Sequence, residues 1–157
     1  TAEEVFADSP DGIVLSNGPG DPKACAAAIR QMRKFYDSGI PVFGICLGHQ
    51  LMALGMGADT YKLKYGHRGA NHSVKDLKLN RCFVTSQNHS YCVDEDTVDR
   101  DIAVVSHINL NDKSVEGLEY LNKDVFTVQF HPEGAPGPMD TEFLFDRFID
   151  MIVRRGN

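Results

Sequence analysis

The chain has 157 residues, 42% of them hydrophobic and 24% charged, which is the size and balance of one folded domain and excludes disorder, collagen and coiled coil. Its net charge is −6, with acids and bases interspersed. No basic face is offered to nucleic acid, so the charge serves solubility.

In chain order, residues 1–9 are acidic and hold no apolar signal segment. Residues 12–16 read as a short buried strand and residues 17–22 as a Gly/Pro loop. Asp21 is placed to cap a helix with Pro22 at its first position, and that helix is expected to run to about Ser38. Ile29, Met32, Phe35 and Tyr36 form its apolar stripe, and Gly39 ends it. Residues 39–58 contain no Asp, Glu, Lys or Arg, but Pro41, five glycines, His49 and Gln50 make them a poor membrane span. They read instead as a strand, 41–45, feeding a helix, 48–56. A weak strand at 59–64 and a Gly/His/Asn loop at 65–73 follow.

The second half is β-rich. Strands are predicted at 82–86, 102–108, 115–121 and 125–130. Asn111-Asp112-Lys113 and Asn122-Lys123-Asp124 serve as hairpin turns between the last three. A final helix is expected at 141–155, capped by Asp140, with Phe145, Phe148, Ile149 and Ile152 inward. Strand–helix–strand–helix followed by hairpins and a closing helix predicts an α/β domain with a mixed sheet. The four cysteines show no C-x-x-C spacing, which argues against a disulfide framework and for a reducing cytoplasm.

The sharpest local signal is Gly44-Ile45-Cys46-Leu47-Gly48, a G-x-C-x-G turn between a strand and a helix. This is the cysteine form of a nucleophile elbow. Small residues two places either side permit so tight a turn, and the helix N-terminus favours thiolate. A nucleophilic sulfur needs a base and a group to orient that base. His131-Pro132-Glu133, just past a predicted strand, supplies both. The Leu47 N–H is one oxyanion donor, and Asn17-Gly18-Pro19-Gly20 offers a second. His67 and His72 share a loop with Arg68. No carboxylate or cysteine stands at metal-ligand spacing from them, so no metal is expected and a solvated loop is the preferred reading. His49 faces either cleft or core. Cys25, Cys82 and Cys92 read as small core residues.

These motifs together resemble the class I glutamine amidotransferases. Gly66-His67-Arg68-Gly69-Ala70-Asn71-His72, Ser86-Gln87-Asn88-His89-Ser90-Tyr91 and the run from His131 through Pro138 narrow the likeness. They are similar to the small, glutamine-hydrolysing subunits of carbamoyl phosphate synthases. The resemblance implies a flavodoxin-like mixed sheet flanked by helices. It implies that Cys46 attacks the glutamine side-chain amide, that His131 moves the protons and that Glu133 orients it. Gly18 and Leu47 would hold the oxyanion. Gly18, Gly20, Leu47, Gln50, Asn88, Ser90 and Tyr91 would bind the substrate. The family usually has glycine where Ser90 stands.

The same likeness implies no cofactor in this chain and a large synthetase subunit that uses ATP and Mg²⁺ on the ammonia released. Amidotransferases of anthranilate or GMP synthesis share the elbow but lack the histidine-rich segments. A non-catalytic domain on the same fold is the third alternative. The family carries an opening strand, a helix and a further strand before the Gly-Pro-Gly loop, preceded by a separate N-terminal domain. Residues 1–157 are therefore expected to be a single, partial amidotransferase domain, with the backbone beside its first strand unpaired.

Overall fold

The computed structural model describes residues 1–134 and 140–156. The histidine–proline–glutamate run noted above is described only as far as Gly134, and its residues 135–138 lie outside the described residues. Seven strands form one mixed sheet: β1 (Ile13–Leu15), β2 (Val42–Ile45), β3 (Thr60–Asp76), β4 (Arg81–Val93), β5 (Ala103–Asn109), β6 (Val115–Tyr120) and β7 (Val125–Val128). Their order across the sheet is β1-β2-β7-β6-β5-β3-β4. β1, β2 and β7 are mutually parallel, and every other pairing is antiparallel. The helices are α1 (Ala2–Ala7), α2 (Ala26–Asp37), α3 (Leu47–Gly55) and α4 (Phe143–Gly156).

Alternation along the central strands divides the core between two faces. Val42 and Val125 face α2 and α3, where Met32, Phe35, Leu51 and Met52 cover them. Phe43, Phe126 and Val128 face the opposite way onto Leu144, Phe148 and Met151 of α4. Phe43 and Phe126 stack with centroids 4.4 Å apart, and Phe145 and Phe148 close on Phe43 at 5.5 and 5.9 Å.

Several sequence expectations need correction. Residues 65–73 are not a solvated loop but the middle of β3, which pairs with β4 across two register shifts, Lys62/His67 and Gly69/His72. Gly66 and Gly69 take φ of 72° and 126° there, so the glycines that read as loop mark bulges within a strand. β4 likewise runs well past residue 86. The helix expected from Pro22 is split. Asp21 does cap, accepting from the Lys23 amide at 2.9 Å, but it caps a single 3₁₀ turn, and α2 starts afresh after Cys25. α4 begins at Phe143, with Thr141 and Glu142 carbonyls accepting its first bonds, so Asp140 is not its neighbouring cap. Ile149 lies on its solvent side, 55% exposed, because Leu144, Phe148 and Met151 already define the buried stripe. Cys82 is exposed, whereas Cys92 is buried and Cys25 half-buried against the core.

α1 was not anticipated, although its signal is visible. Thr1 and Glu4 form a capping box, and Phe6 packs edge-on to Phe35 of α2 at 5.8 Å. β1 is an edge strand of the described sheet, with Val14 48% exposed.

The three parallel strands deliver their C-terminal ends to one rim, the place where open α/β sheets bind ligands. The Gly18–Gly20 loop follows β1, Cys46 follows β2, and His131 stands three residues beyond β7. Close packing fixes the rim. A Cβ on Gly48 would overlap the Leu15 carbonyl of β1, and one on Gly44 would meet Thr127 Cγ2 at 2.6 Å. Alanine ordinarily stabilises a helix over glycine by about 1 kcal/mol. Here overpacking reverses the sign, and Gly48→Ala is expected to destabilise by about 1–3 kcal/mol. Urea unfolding of the full-length chain checks this through its midpoint, and a raised midpoint refutes the close approach.

Candidate active site

Cys46 sits between β2 and α3 at φ 53° and ψ −103°, a region that residues with a Cβ rarely occupy. Its amide donates to the Val128 carbonyl at 2.9 Å, which ties the turn to β7. The residue is 4% exposed, yet its sulfur reaches a pocket of about 400 Å³.

His131 lines the same pocket. Its amide donates to Ser86 O of β4 at 2.9 Å, and its carbonyl accepts from Gly134 N at 3.1 Å. Pro132 and Glu133 thus form the corner of a turn that folds the carboxylate back onto the ring. His131 Nδ1–H donates to Glu133 Oε1 at 2.7 Å, which leaves Nε2 for the sulfur. The Cys46 side chain, and next the Glu133 carboxylate, raise the His131 pKa to about 10 against the opposing effect of burial. For Glu133, burial disfavours the charge, but the bond from His131, a backbone hydrogen bond and the His131 charge together hold the carboxyl below its ordinary range. The arrangement is an imidazole bonded to a carboxylate on one nitrogen and sharing its pocket with the sulfur, and both neighbours favour the protonated ring that can deliver a proton and take it back.

Gly18, Gly20, Gln50, Asn88, Ser90 and Tyr91 all border this pocket. Leu47 and Glu133 do not. The Leu47 amide opens α3 directly after Cys46 while its side chain turns onto Gly18, and Glu133 stands behind His131. His49 points into the core. Its Nδ1 is 2.8 Å from Thr127 Oγ1, and burial pushes its pKa down to about 3, so it is a neutral packing group.

Sequence reasoning missed Gln129. This fully buried residue donates from Nε2 toward Cys46 Sγ at 3.7 Å, and its Oε1 accepts from Gln50 Nε2 at 2.9 Å. Gln50 also donates to Tyr91 O at 2.8 Å, so the floor of the pocket is one hydrogen-bonded chain from sulfur to β4. The signal was the period-2 set Thr127, Gln129, His131, polar on one face at the end of an apolar strand. His67 was also misread. It is buried rather than solvated, with Nε2 2.7 Å from Asp112 Oδ2 and Nδ1 3.4 Å from Glu116 Oε1. The Glu116 carboxylate first, then Asp112, raises its pKa to about 9.

His67, His89 and Glu116 bring three ligand atoms within 4.8 Å of one another. His67 is already engaged by the two carboxylates, and His89 Nδ1 lies 2.8 Å from Tyr91 O, so the cluster works as an ion pair beneath β4. A larger cavity of about 670 Å³ runs along Leu77, Val104 and Tyr120. Its lining carboxylates Glu119 and Asp124 are engaged by Lys78, Arg147 and Arg154, and neither a cysteine nor a histidine lines it among the described residues, so chemistry rather than size selects the site.

The family model described as "Glutamine amidotransferase class-I" matches residues 1–151. Among curated relatives, the carbamoyl phosphate synthase small chain of Clostridium acetobutylicum is 52% identical over 148 residues, 94% of this chain and 42% of that protein. The one from Listeria monocytogenes is 53% identical over 152 residues, 97% and 42% of the two chains. This chain therefore spans about two fifths of the length of the curated relatives it matches. Among solved structures, a putative GMP synthase protein from Thermoplasma acidophilum superposes with a TM-score of 0.77 at 23% identity. The match covers 98% of this chain and 77% of that one, and it shows a shared fold. The elbow, the rim and the family match agree, and this chain belongs to the class I glutamine amidotransferases.

Proposed function

We propose that this chain is the glutamine-hydrolysing domain of a carbamoyl phosphate synthase small chain. In that role it releases ammonia to a large synthetase subunit. The observation that carries the proposal is Cys46, held at positive φ on a pocket sized for an amino acid that His131 also lines, with Glu133 bonded to Nδ1 of that ring. The identities of 52–53% to carbamoyl phosphate synthase small chains select this pathway over GMP synthesis, for which the likeness is of fold alone.

The Cys46 sulfur, as thiolate, adds to the side-chain amide carbon of glutamine, and the amides of Gly18 and Leu47 receive the oxyanion. The C–N bond breaks as His131 gives its proton to the departing nitrogen, which leaves as ammonia. His131, now neutral, takes a proton from water. The hydroxide adds to the glutamyl thioester and the C–S bond breaks, which restores thiolate and imidazolium; the product leaves as the γ-carboxylic acid and gives its proton to water to become glutamate. None of these steps needs a metal or an organic cofactor, and ATP and Mg²⁺ belong to the partner's chemistry. Passing ammonia directly to the partner keeps it from protonation to ammonium, which is no nucleophile. A reducing cytoplasm suits the reaction, because the nucleophile must stay a free thiol.

Cys46→Ala is expected to lower glutaminase activity of the full-length chain by at least about a thousandfold. In the parent protein, quenching during turnover and mass spectrometry should find a glutamyl adduct on Cys46. Full activity in the alanine variant refutes the proposal.

A second test concerns pH. A raised His131 pKa means the imidazolium persists through neutrality and is lost only as pH passes about 10. Glu133→Gln removes one of the two groups that raise it. The alkaline limb of the kcat/KM profile should move to lower pH, and kcat should fall by about ten- to a hundredfold, the worth of a charged hydrogen bond. An unmoved alkaline limb refutes the role of Glu133.

A further inference from the structure

The pocket around Cys46 is uneven in charge. At one end stands the Cys46–His131–Glu133 set. The residues expected to grip the amino-acid end of the substrate (Gly20, Gln50, Asn88, Ser90 and Tyr91) are all neutral. His89, which also borders the pocket, is held neutral by burial, with its pKa pushed down to about 4. Arg68 is the single arginine or lysine among the described lining residues. Among the described residues no carboxylate stands within ion-pair distance of its guanidinium. An arginine keeps its charge at every physiological pH.

Arg68 is also held in place, although it lies at the open rim. Its Nη1 donates to Tyr65 O at 2.8 Å and its Nη2 donates to Ser90 Oγ at 2.5 Å. Gly66, at φ 72°, leaves the space the guanidinium occupies, since a Cβ there would lie 2.6 Å from Arg68 Nη1. The register sets Arg68 opposite Asn88, so the bulged strand β3 lays the guanidinium against the substrate-facing part of β4. Of the five N–H donors, two are used in holding the group, and three stay free for an anion. Accepting from Arg68 leaves the Ser90 hydroxyl proton free to donate as well.

We propose that Arg68 binds the α-carboxylate of the glutamine substrate and that Ser90 is the residue that positions it. The inference rests on the glutaminase reading and adds the group that selects an α-amino acid. It also gives the serine at position 90 a task that glycine cannot perform, because glycine has no hydroxyl to hold the guanidinium. An arginine–carboxylate contact is charge-assisted and can be bidentate, which supplies geometric selection as well as affinity.

The test uses the full-length chain with its synthetase partner and two ligands, L-glutamine and L-glutaminamide. In the second an amide replaces the α-carboxylate. Arg68→Gln should raise KM for L-glutamine roughly tenfold with kcat within about twofold, the pattern of lost binding common to ground and transition states. L-Glutaminamide, followed as substrate or as competitor, should not distinguish the variant from the parent. Arg68→Lys should recover part of the loss. Ser90→Gly should raise KM severalfold when Arg68 is present and have no effect on KM in the Arg68→Gln background. An unchanged KM in Arg68→Gln, or an equal loss for both ligands, overturns the assignment of Arg68. An undiminished Ser90→Gly effect without Arg68 overturns the role of Ser90. A parent enzyme that neither binds nor hydrolyses glutamine overturns the glutaminase reading and this inference with it. Normal parental hydrolysis beside an unaltered Arg68→Gln variant overturns this inference alone.

Discussion

Cys46 occupies φ 53°, ψ −103°, a conformation that costs about 1–3 kcal/mol for a residue with a side chain. The surroundings hold it there. The Val128 carbonyl takes its amide proton, and α3 starts immediately after it. α3 also lies so close to β1 that only glycine fits at position 48 against the Leu15 carbonyl. The last contact is the controlling one. If α3 moved away from β1 by the depth of one methyl group, the turn would relax. The sulfur would leave the rim and the Leu47 amide would turn with it. Backbone strain at Cys46 is therefore supported by packing two residues away.

Beneath the pocket lies a second, polar layer. Glu116 is fully buried on β6, and its Oε1 accepts from Gln87 Nε2 at 3.0 Å and Asn109 Nδ2 at 3.1 Å, with His67 Nδ1 3.4 Å away. Breaking such a pair from one side is costly, because the remaining charge stays buried. The layer fixes Gln87, and the same strand carries Asn88, Ser90 and Tyr91 to the pocket. The raised His67 pKa gives the layer a pH limit. Its contribution is complete below the ordinary histidine value and is lost as pH rises through about 9.

What could be read from the sequence was whatever depended on local chemistry. Gly44-Ile45-Cys46-Leu47-Gly48 encodes its turn in the residues themselves, and Asn111 and Asn122 announced hairpins that the structure contains. What failed was decided by partners distant in sequence. The Gly66 to Asn71 segment has loop composition, yet pairing with β4 makes it strand and places its glycines at bulges. Ile149 has an inward-looking pattern, but α4 turns Phe148 and Met151 inward and leaves it in water. Gln129 escaped notice because a buried glutamine carries no motif. Its place is set by Gln50, 79 residues earlier.

The two halves of the site are built from different material. The half that holds Cys46 and His131 adjoins β2, β7 and α3, in the middle of the packed core, where positions are fixed tightly enough for the proposed reaction, which depends on orientation. The half proposed to recognise the substrate stands on the β3–β4 ribbon, which brings Arg68, Asn88, Ser90 and Tyr91 to the pocket. Among the described residues, β3 pairs with β5 only at Val74 to Asp76, and β4 is an edge strand. Several links tie the ribbon to the core near the pocket, among them Ser86 O with His131 N, Gln50 with Tyr91 O, Gln87 with Glu116, and the His67–Glu116 pair. Each of these ends on a residue that also touches, or lies one position from, the pocket lining. A substrate bridging Cys46 and β4 would add a further link across the same gap. Binding at the ribbon and alignment at the sulfur are then parts of one mechanical event, and a loss of contact on β4 would be felt first as weaker binding rather than slower chemistry.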